Sequence, residues 1–174
     1  HISRIAVQNQ IKTLNAFRDK RIGTRHFQTT TGYGYYDPGR DALESVFADI
    51  FKAEAALVRQ QIVSGTHAIA CSLLGNLTPD DELVIASGLP YETLVNVLGL
   101  ELNKLVGVSS TGGFTVTIVP LAADGSLNLP EIEASISAKT KIIAFQRSCG
   151  YSERRSFSIQ ELKQAFMAAR RKKP

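Results

Sequence analysis

Three short stretches carry residue types suited to holding a flat, charged ligand. In Gln61-Ile-Val-Ser-Gly-Thr-His-Ala-Ile-Ala70, an apolar segment passes through Ser-Gly-Thr into small and apolar residues at helical spacing. With Ser64 as N-cap, Gly65, Thr66 and His67 form a first turn whose N–H groups have no partner inside the helix and carry the positive end of its dipole. Such a turn attracts an anion. Gly65 admits a ligand close to the backbone, and His67 stands where a Glu or Gln would close a capping box. A phosphate fits this junction, and so does an ordinary serine cap on a buried helix.

The other two stretches follow strand-like segments, at the ends where open α/β sheets place their ligands. Ser87-Gly-Leu-Pro-Tyr91 would bring an aromatic ring to the same sheet edge as Ser64, and Gln146-Arg-Ser-Cys-Gly-Tyr151 is a polar run directly after an apolar one. Taken singly, Tyr91 reads more simply as a helix-start or core aromatic, and Arg147 as an ion-pair partner. Taken together they describe a phosphate socket, a ring for stacking and polar groups for a charged substrate, which suits an aromatic phosphorylated cofactor.

The elements that must position these residues alternate along the chain. Val7, Ile11 and Leu14 give a helical stripe, followed by a Gly/Tyr/Thr-rich loop from Gly23 to Arg40. Leu43, Val46, Phe47 and Ile50 predict a helix with one buried face, just after Asp37-Pro38-Gly39. Next come strand-like Ala56 to Val63, a helix from about Gly65 to Leu77, the strand Glu82 to Ala86 and a helix near Tyr91 to Asn103. The strand Thr115 to Val119, a short helix opening at Pro130 and the strand Lys141 to Phe145 complete the series. This spacing implies βαβ units: an α/β fold with a mainly parallel sheet and flanking helices. Ser158-Ile-Gln-Glu161 is a capping box, Phe157 and Leu162 can staple it, and Leu162, Phe166 and Ala169 form the expected buried stripe of the last helix. The organisation expected is an N-terminal helix and loop over 1–40 and an α/β domain over 41–174.

Composition bounds the remaining possibilities. The chain has 174 residues, 44% hydrophobic and 21% charged, enough for one substantial core. Its net charge of +4 matches the four basic residues Arg170 to Lys173, whose simplest role is to meet the negative end of a helix dipole. Aromatics do not interleave with that basic tail, so no nucleic-acid partner is expected. Cys71 and Cys149 are far apart and in no CxxC spacing, so neither a disulfide framework nor a metal site is expected. A reducing, cytoplasmic setting suits them, and no apolar run approaches the roughly 20 residues of a membrane span. The start lacks an initiating Met and a signal-peptide pattern, and no strand follows the last helix, so the chain reads as trimmed at both ends.

The blocks Thr31-Gly-Tyr-Gly-Tyr-Tyr-Asp-Pro-Gly-Arg-Asp-Ala-Leu-Glu44, Gln61 to Ala68, Pro90-Tyr-Glu-Thr-Leu94 and Gln146 to Tyr151 together resemble the methionine gamma-lyase-like proteins, also called aluminium-resistance proteins. These are similar to the cystathionine beta- and gamma-lyases, pyridoxal 5'-phosphate (PLP) enzymes of the aspartate-aminotransferase fold. The resemblance runs from about Asn9 to Lys173 and implies the N-terminal part of the cofactor-binding large domain. It implies a carbon–sulfur lyase acting by beta- or gamma-elimination on a small sulfur-containing amino acid, in a homodimer or homotetramer with shared active sites.

By this resemblance, Ser64, Gly65 and Thr66 look like the Ser-Gly-Met turn that holds the PLP phosphate, with Thr66 in place of Met. Tyr91 looks like the tyrosine that stacks on the pyridine ring and shuttles protons. Gln146 and Ser148 stand where the lyases have a Glu-Ser-Pro strand end beside the cofactor, and Arg147 is a substrate-carboxylate candidate. Tyr33 lies near the Tyr-x-Arg loop that reaches the neighbouring subunit's phosphate, although Gly34-Tyr35 supplies no arginine at the matching place; Arg40 reads as a helix-start residue. The aspartate that pairs with the pyridine nitrogen and the Schiff-base lysine are expected beyond Pro174, so the chain alone is expected to be inactive.

Other readings have weaker support. A Ser64–His67 hydrolase lacks a G-x-S-x-G elbow, and a dinucleotide domain lacks G-x-G-x-x-G. A non-catalytic α/β oligomerisation or phosphate/nucleotide-binding module is the alternative.

Overall fold

Asp37 and Pro38 show how local chemistry starts an element here. The Asp37 carboxylate accepts the Arg40 N–H at 3.1 Å, and Pro38, which has no N–H to satisfy, occupies the first turn. In the computed structural model, which describes residues 2–33, 35–101, 106–109 and 111–172, the helix begun there is the second of six. The described elements are α1 (Ile2–Asp19), a 3-10 turn (Thr24–Phe27), α2 (Pro38–Phe51), α3 (Gly65–Leu74) and β1 (Glu82–Ile85). They continue with α4 (Glu92–Leu98), β2 (Val106–Val108), β3 (Thr115–Ile118), α5 (Leu129–Ser135), β4 (Thr140–Ala144) and α6 (Ile159–Lys172). The readings at Gly34, Leu102, Asn103, Lys173 and Pro174 lie outside the described residues.

The chain forms two compact units, His1–Val63 and Ser64–Pro174. The division falls after Val63 and not after residue 40, because α2 packs on α1 and on the 3-10 turn. Within this first unit, Gly39 is fixed by close approach: a Cβ there would come within 2.4 Å of the His26 carbonyl oxygen. Helix α1 forms as its stripe predicts, yet Val7, Ile11 and Leu14 are exposed and only Ala16 is buried. On α2 the buried residue is Val46, while Leu43 and Phe47 stay partly in solvent.

The strand expected over Ala56 to Val63 is absent; the segment is irregular and turns at Gln60 and Gln61. Its polar groups find a partner in its own unit. Glu44 on α2 accepts the Val58 N–H at 3.0 Å and pairs with the Arg59 guanidinium, Nε at 2.6 Å and Nη2 at 2.8 Å. An N–H bonded to a carboxylate is unavailable to a strand ladder.

The second unit is a four-stranded sheet in the order β2-β3-β1-β4. Strands β3, β1 and β4 run parallel, and β2 is antiparallel to β3. Strand β2 has no counterpart in the sequence reading, since three residues centred on glycine give no period. Along β1, Leu83 and Ile85 enter a cluster with Leu73, Leu94, Leu98 and Phe114, while Val84 and Ala86 enter another with Val119, Ile132, Phe157 and Ala165. Both faces of β1 are therefore covered, which is why it reads as a continuous apolar run.

Two helices end sooner than their patterns suggest: α3 stops at Leu74 before Gly75, and α4 stops at Leu98 before Gly99, whose φ of 62° is left-handed. Helix α6 opens as expected. Glu161 N donates to Ser158 Oγ at 3.2 Å and Ser158 N to Glu161 Oε2 at 2.8 Å, with Phe157 buried below. Its buried stripe is Ala165, Ala168 and Ala169; Phe166, expected in that stripe, is 50% exposed and meets the Phe145 ring edge-on at 4.9 Å. Arg170, Arg171 and Lys172 fill the last turn, and Arg171 pairs with Glu133 of α5. None of the described helices is long and apolar enough to cross a membrane.

Candidate functional site

Ser64 is extended (φ −158°, ψ 164°), and its Oγ accepts the His67 main-chain N–H at 3.1 Å, so it caps α3 as its residue type predicts. This bond comes from the His67 backbone and gives the serine no activating base, which disfavours a Ser–His hydrolase. At Gly65 an added Cβ would meet nothing within 4 Å, and the backbone φ is not left-handed. Neither packing nor conformation asks for glycine there. The surface beside the first turn of α3 is open to a ligand.

Hydrogen bonds tie that helix start to two strand ends. The Thr66 hydroxyl lies 3.4 Å from the Thr93 hydroxyl in the first turn of α4. Tyr91, the N-cap of α4, has its ring half-buried against the cluster around Leu94 and Leu98, and its N–H donates to Gln146 Oε1 at 3.2 Å. Gln146 N in turn donates to Ser87 Oγ at 2.8 Å. Ser87 is 2% exposed and sits just past β1, before Gly88, whose φ of 79° turns the chain. Thus the starts of α3 and α4 and the ends of β1 and β4 share one edge of the sheet, as the strand order requires of parallel strands whose carboxyl ends point one way.

Gln146 is held from every side. Its Nε2 donates to the Ser148 carbonyl at 3.1 Å, and the place a Cβ of Gly150 would take lies 3.4 Å from that nitrogen. Gly150 has φ 60°, so the bend that brings it against Gln146 favours glycine. Arg154 Nη2 donates to the Gln146 carbonyl at 2.9 Å and the Ser148 carbonyl at 2.6 Å.

The structure thus brings Ser64, Gly65, Thr66, Tyr91, Gln146 and Ser148 into one hydrogen-bonded edge of the second unit. Arg147, also in that loop, is exposed and its Nε donates to the Phe157 carbonyl at 3.1 Å. Tyr33 belongs to the first unit and is 83% exposed. Sequence reasoning put the loops of Ser87 and Gly150 at this edge without giving either residue a role, and it missed Thr93 and Arg154. Ser87 and Gly150 had a signal, each standing in a Gly-containing loop directly after a strand; Thr93 and Arg154 had none. Among the described residues no group of three His, Cys, Asp or Glu side chains is placed to hold a metal ion.

A three-stranded parallel core with polar loops gathered at its carboxyl edge gives the second unit an α/β fold. The methionine gamma-lyase family profile matches residues 1–174, and the chain belongs to that family. It is 44% identical to the Listeria monocytogenes protein named "putative cystathionine beta-lyase involved in aluminum resistance", whose solved structure superposes with a TM-score of 0.91 over 99% of this chain and 42% of that one. A carbon-sulfur lyase involved in aluminum resistance from Clostridium novyi is 38% identical, with a TM-score of 0.85 over 95% of this chain and 39% of that one. The uncharacterized protein YnbB of Bacillus subtilis is 43% identical over 163 residues, 94% of this chain and 39% of its own length. The chain spans about two fifths of the length of these relatives.

Proposed function

We propose that these 174 residues form the phosphate-holding and ring-stacking part of a PLP-dependent carbon–sulfur lyase of the aspartate-aminotransferase fold, acting by beta- or gamma-elimination on a small sulfur-containing amino acid. The observation that carries this reading is the hydrogen-bonded series Thr66–Thr93, Tyr91–Gln146 and Gln146–Ser87, which puts an open helix N-terminus and an aromatic N-cap on one sheet edge. The residues suit the group. The α3 first turn offers main-chain N–H donors and a dipole to a phosphate, Gly65 leaves space for it, and Tyr91 offers a ring anchored by its own backbone.

When bound, the cofactor supplies an electron sink for negative charge at the substrate's alpha carbon. The chain's own part is to bind and orient. Ser64, Gly65 and Thr66 would hold the phosphate end, Tyr91 would stack on the ring and hold or move a proton at its hydroxyl, and Gln146 and Ser148 would stand beside the cofactor. Arg147 engages its Nε within the loop, and its terminal nitrogens would serve a substrate carboxylate. Tyr33 serves the phosphate of a neighbouring protomer in a homodimer or homotetramer working in the cytoplasm. No residue of this chain is assigned as the reactive lysine or as the partner of the ring nitrogen.

Equilibrium dialysis against PLP and against pyridoxal tests the reading. PLP should bind at least about tenfold more tightly, the contribution expected of a charge-assisted phosphate site. Gly65→Asp, which sets a carboxylate at the helix start, should abolish the difference. Equal binding of PLP and pyridoxal by the unaltered chain would overturn the proposal.

A further inference from the structure

Arg154 lies in the loop between β4 and α6, where the chain doubles back on itself. Its Nη2 reaches the carbonyls of Gln146 and Ser148, on either side of Arg147, and its Nη1 donates to the Arg155 carbonyl at 3.0 Å. The guanidinium lies over the Phe157 ring, Cζ 4.4 Å from its centroid, and Phe157 is 1% exposed in the cluster with Ile132 and Ala165. The two arms of the loop are joined as well by Phe157 N donating to the Arg147 carbonyl at 3.1 Å.

We infer that Arg154 is a positioning residue, which fixes Gln146 and through it the Tyr91 backbone at the start of α4. The carbonyls of Gln146 and Ser148 converge inside the bend, where their partial negative charges oppose one another unless a donor stands between them. A planar guanidinium meets this need: it serves three carbonyls and keeps a flat face for the Phe157 ring, whereas a lysine ammonium is a single point of charge. Phe157 ties the clamp to the core under α6, so the side chain that accepts the Tyr91 N–H is referenced to a rigid face of the sheet. Without the clamp the 146–148 bend relaxes, Gln146 Oε1 withdraws from Tyr91 N, and the tyrosine ring loses its fixed plane.

The positioning itself needs no cofactor; only its consequence for ring stacking rests on the proposed function. Amide hydrogen exchange on the full chain without PLP tests it directly. Arg154→Met should speed exchange at Tyr91 and Gln146 by about tenfold, while Leu83 and Val84 in β1 keep their rates. Arg154→Lys should fall between that variant and the unaltered chain, and it decides the matter if Arg154→Met does not fold. In a Gln146→Ala background, Arg154→Met should change Tyr91 exchange by less than about twofold, because the acceptor is already gone. Acceleration spread evenly over β1 and Tyr91, an unchanged Tyr91, or additive effects in the double variant would each overturn the inference. If Tyr91 loses protection as expected while the unaltered chain does not prefer PLP over pyridoxal, the cofactor reading fails and the positioning role stands.

Discussion

Strand β1 begins at Glu82 and is followed by Ser87, and the hydrogen bonds at these two ends leave different things open. At the start, Glu82 accepts from Thr117 at 2.8 Å, Ser137 at 2.7 Å and Thr140 at 2.6 Å, so one carboxylate joins β1, β3 and the approach to β4 and is used up in doing so. At the far end, Ser87 and Gln146 bind main-chain N–H groups, of Gln146 and Tyr91 respectively. Those bonds fix backbone and leave the Tyr91 ring and the first turn of α3 for something else. A closed polar cluster stabilises, whereas an anchored backbone with open side chains prepares a site.

The largest loss should come from the closed end. Glu82→Ala leaves three hydroxyls without their charged acceptor and should cost about 2–3 kcal/mol, read from urea midpoints. Burial pushes the Glu82 carboxyl up, but the hydroxyls of Thr140, Ser137 and Thr117 and the nearby Lys139 outweigh it and hold it below the usual glutamate value. Its contribution is thus complete above the unfolded value near 4.5 and is lost as pH falls through the lower folded value. Glu161, held at about 2 by Arg155 and by the Ser158 N–H and hydroxyl, acts in the same direction. Stability should therefore decline between about pH 4.5 and 2, and Glu82→Gln should flatten that decline, as acid titrations followed by circular dichroism would show.

Gly150→Ala should come next, costing about 1–2 kcal/mol, because its φ of 60° is left-handed and the new methyl would sit 3.4 Å from Gln146 Nε2. If the open end is tuned for a ligand, this variant should lose PLP affinity by more than its stability loss explains. Gln146→Ala removes the acceptor of the Tyr91 N–H and an exposed donor to the Ser148 carbonyl and should cost about 1 kcal/mol, with faster exchange confined to the Tyr91 region and its own loop. The smallest stability effect belongs to Gly65→Asp. With open space beside it and a helix dipole to meet, the new carboxylate should change the melting point by under about 2 °C, upward if at all. A large drop in stability would mean that Gly65 serves the fold, and the contrast between the two ends of β1 would disappear.

Much of this was legible wherever a signal and its effect lie within one helical turn. Ser64, Asp37 and the Ser158–Glu161 box start helices in the structure as their residue types require. The apolar run of β1 announced a strand covered on both faces, and β3 and β4 overlap the stretches read as strands from Thr115 and Lys141. Legibility failed at Ala56 to Val63, which has the composition of a strand but spends its Val58 N–H on Glu44, 14 residues earlier. It failed for β2, which pairs with β3 and carries no period of its own. It failed on α6, where Phe166 is half in solvent while small alanines take the core face.

The amino-acid sequence by itself determined the helix caps, the alternation of helices with apolar strands, and the Ser-Gly-Thr start of α3, since each depends on residues a few positions apart. Only the tertiary structure decided that Gln146 accepts from Tyr91, 55 residues earlier, and donates to Ser87, 59 residues earlier, with Arg154 closing the loop behind it. Those bonds depend on which strands lie side by side. Strand order follows from burying both faces of β1 at once, a condition on the whole sheet that no short stretch of residues can express.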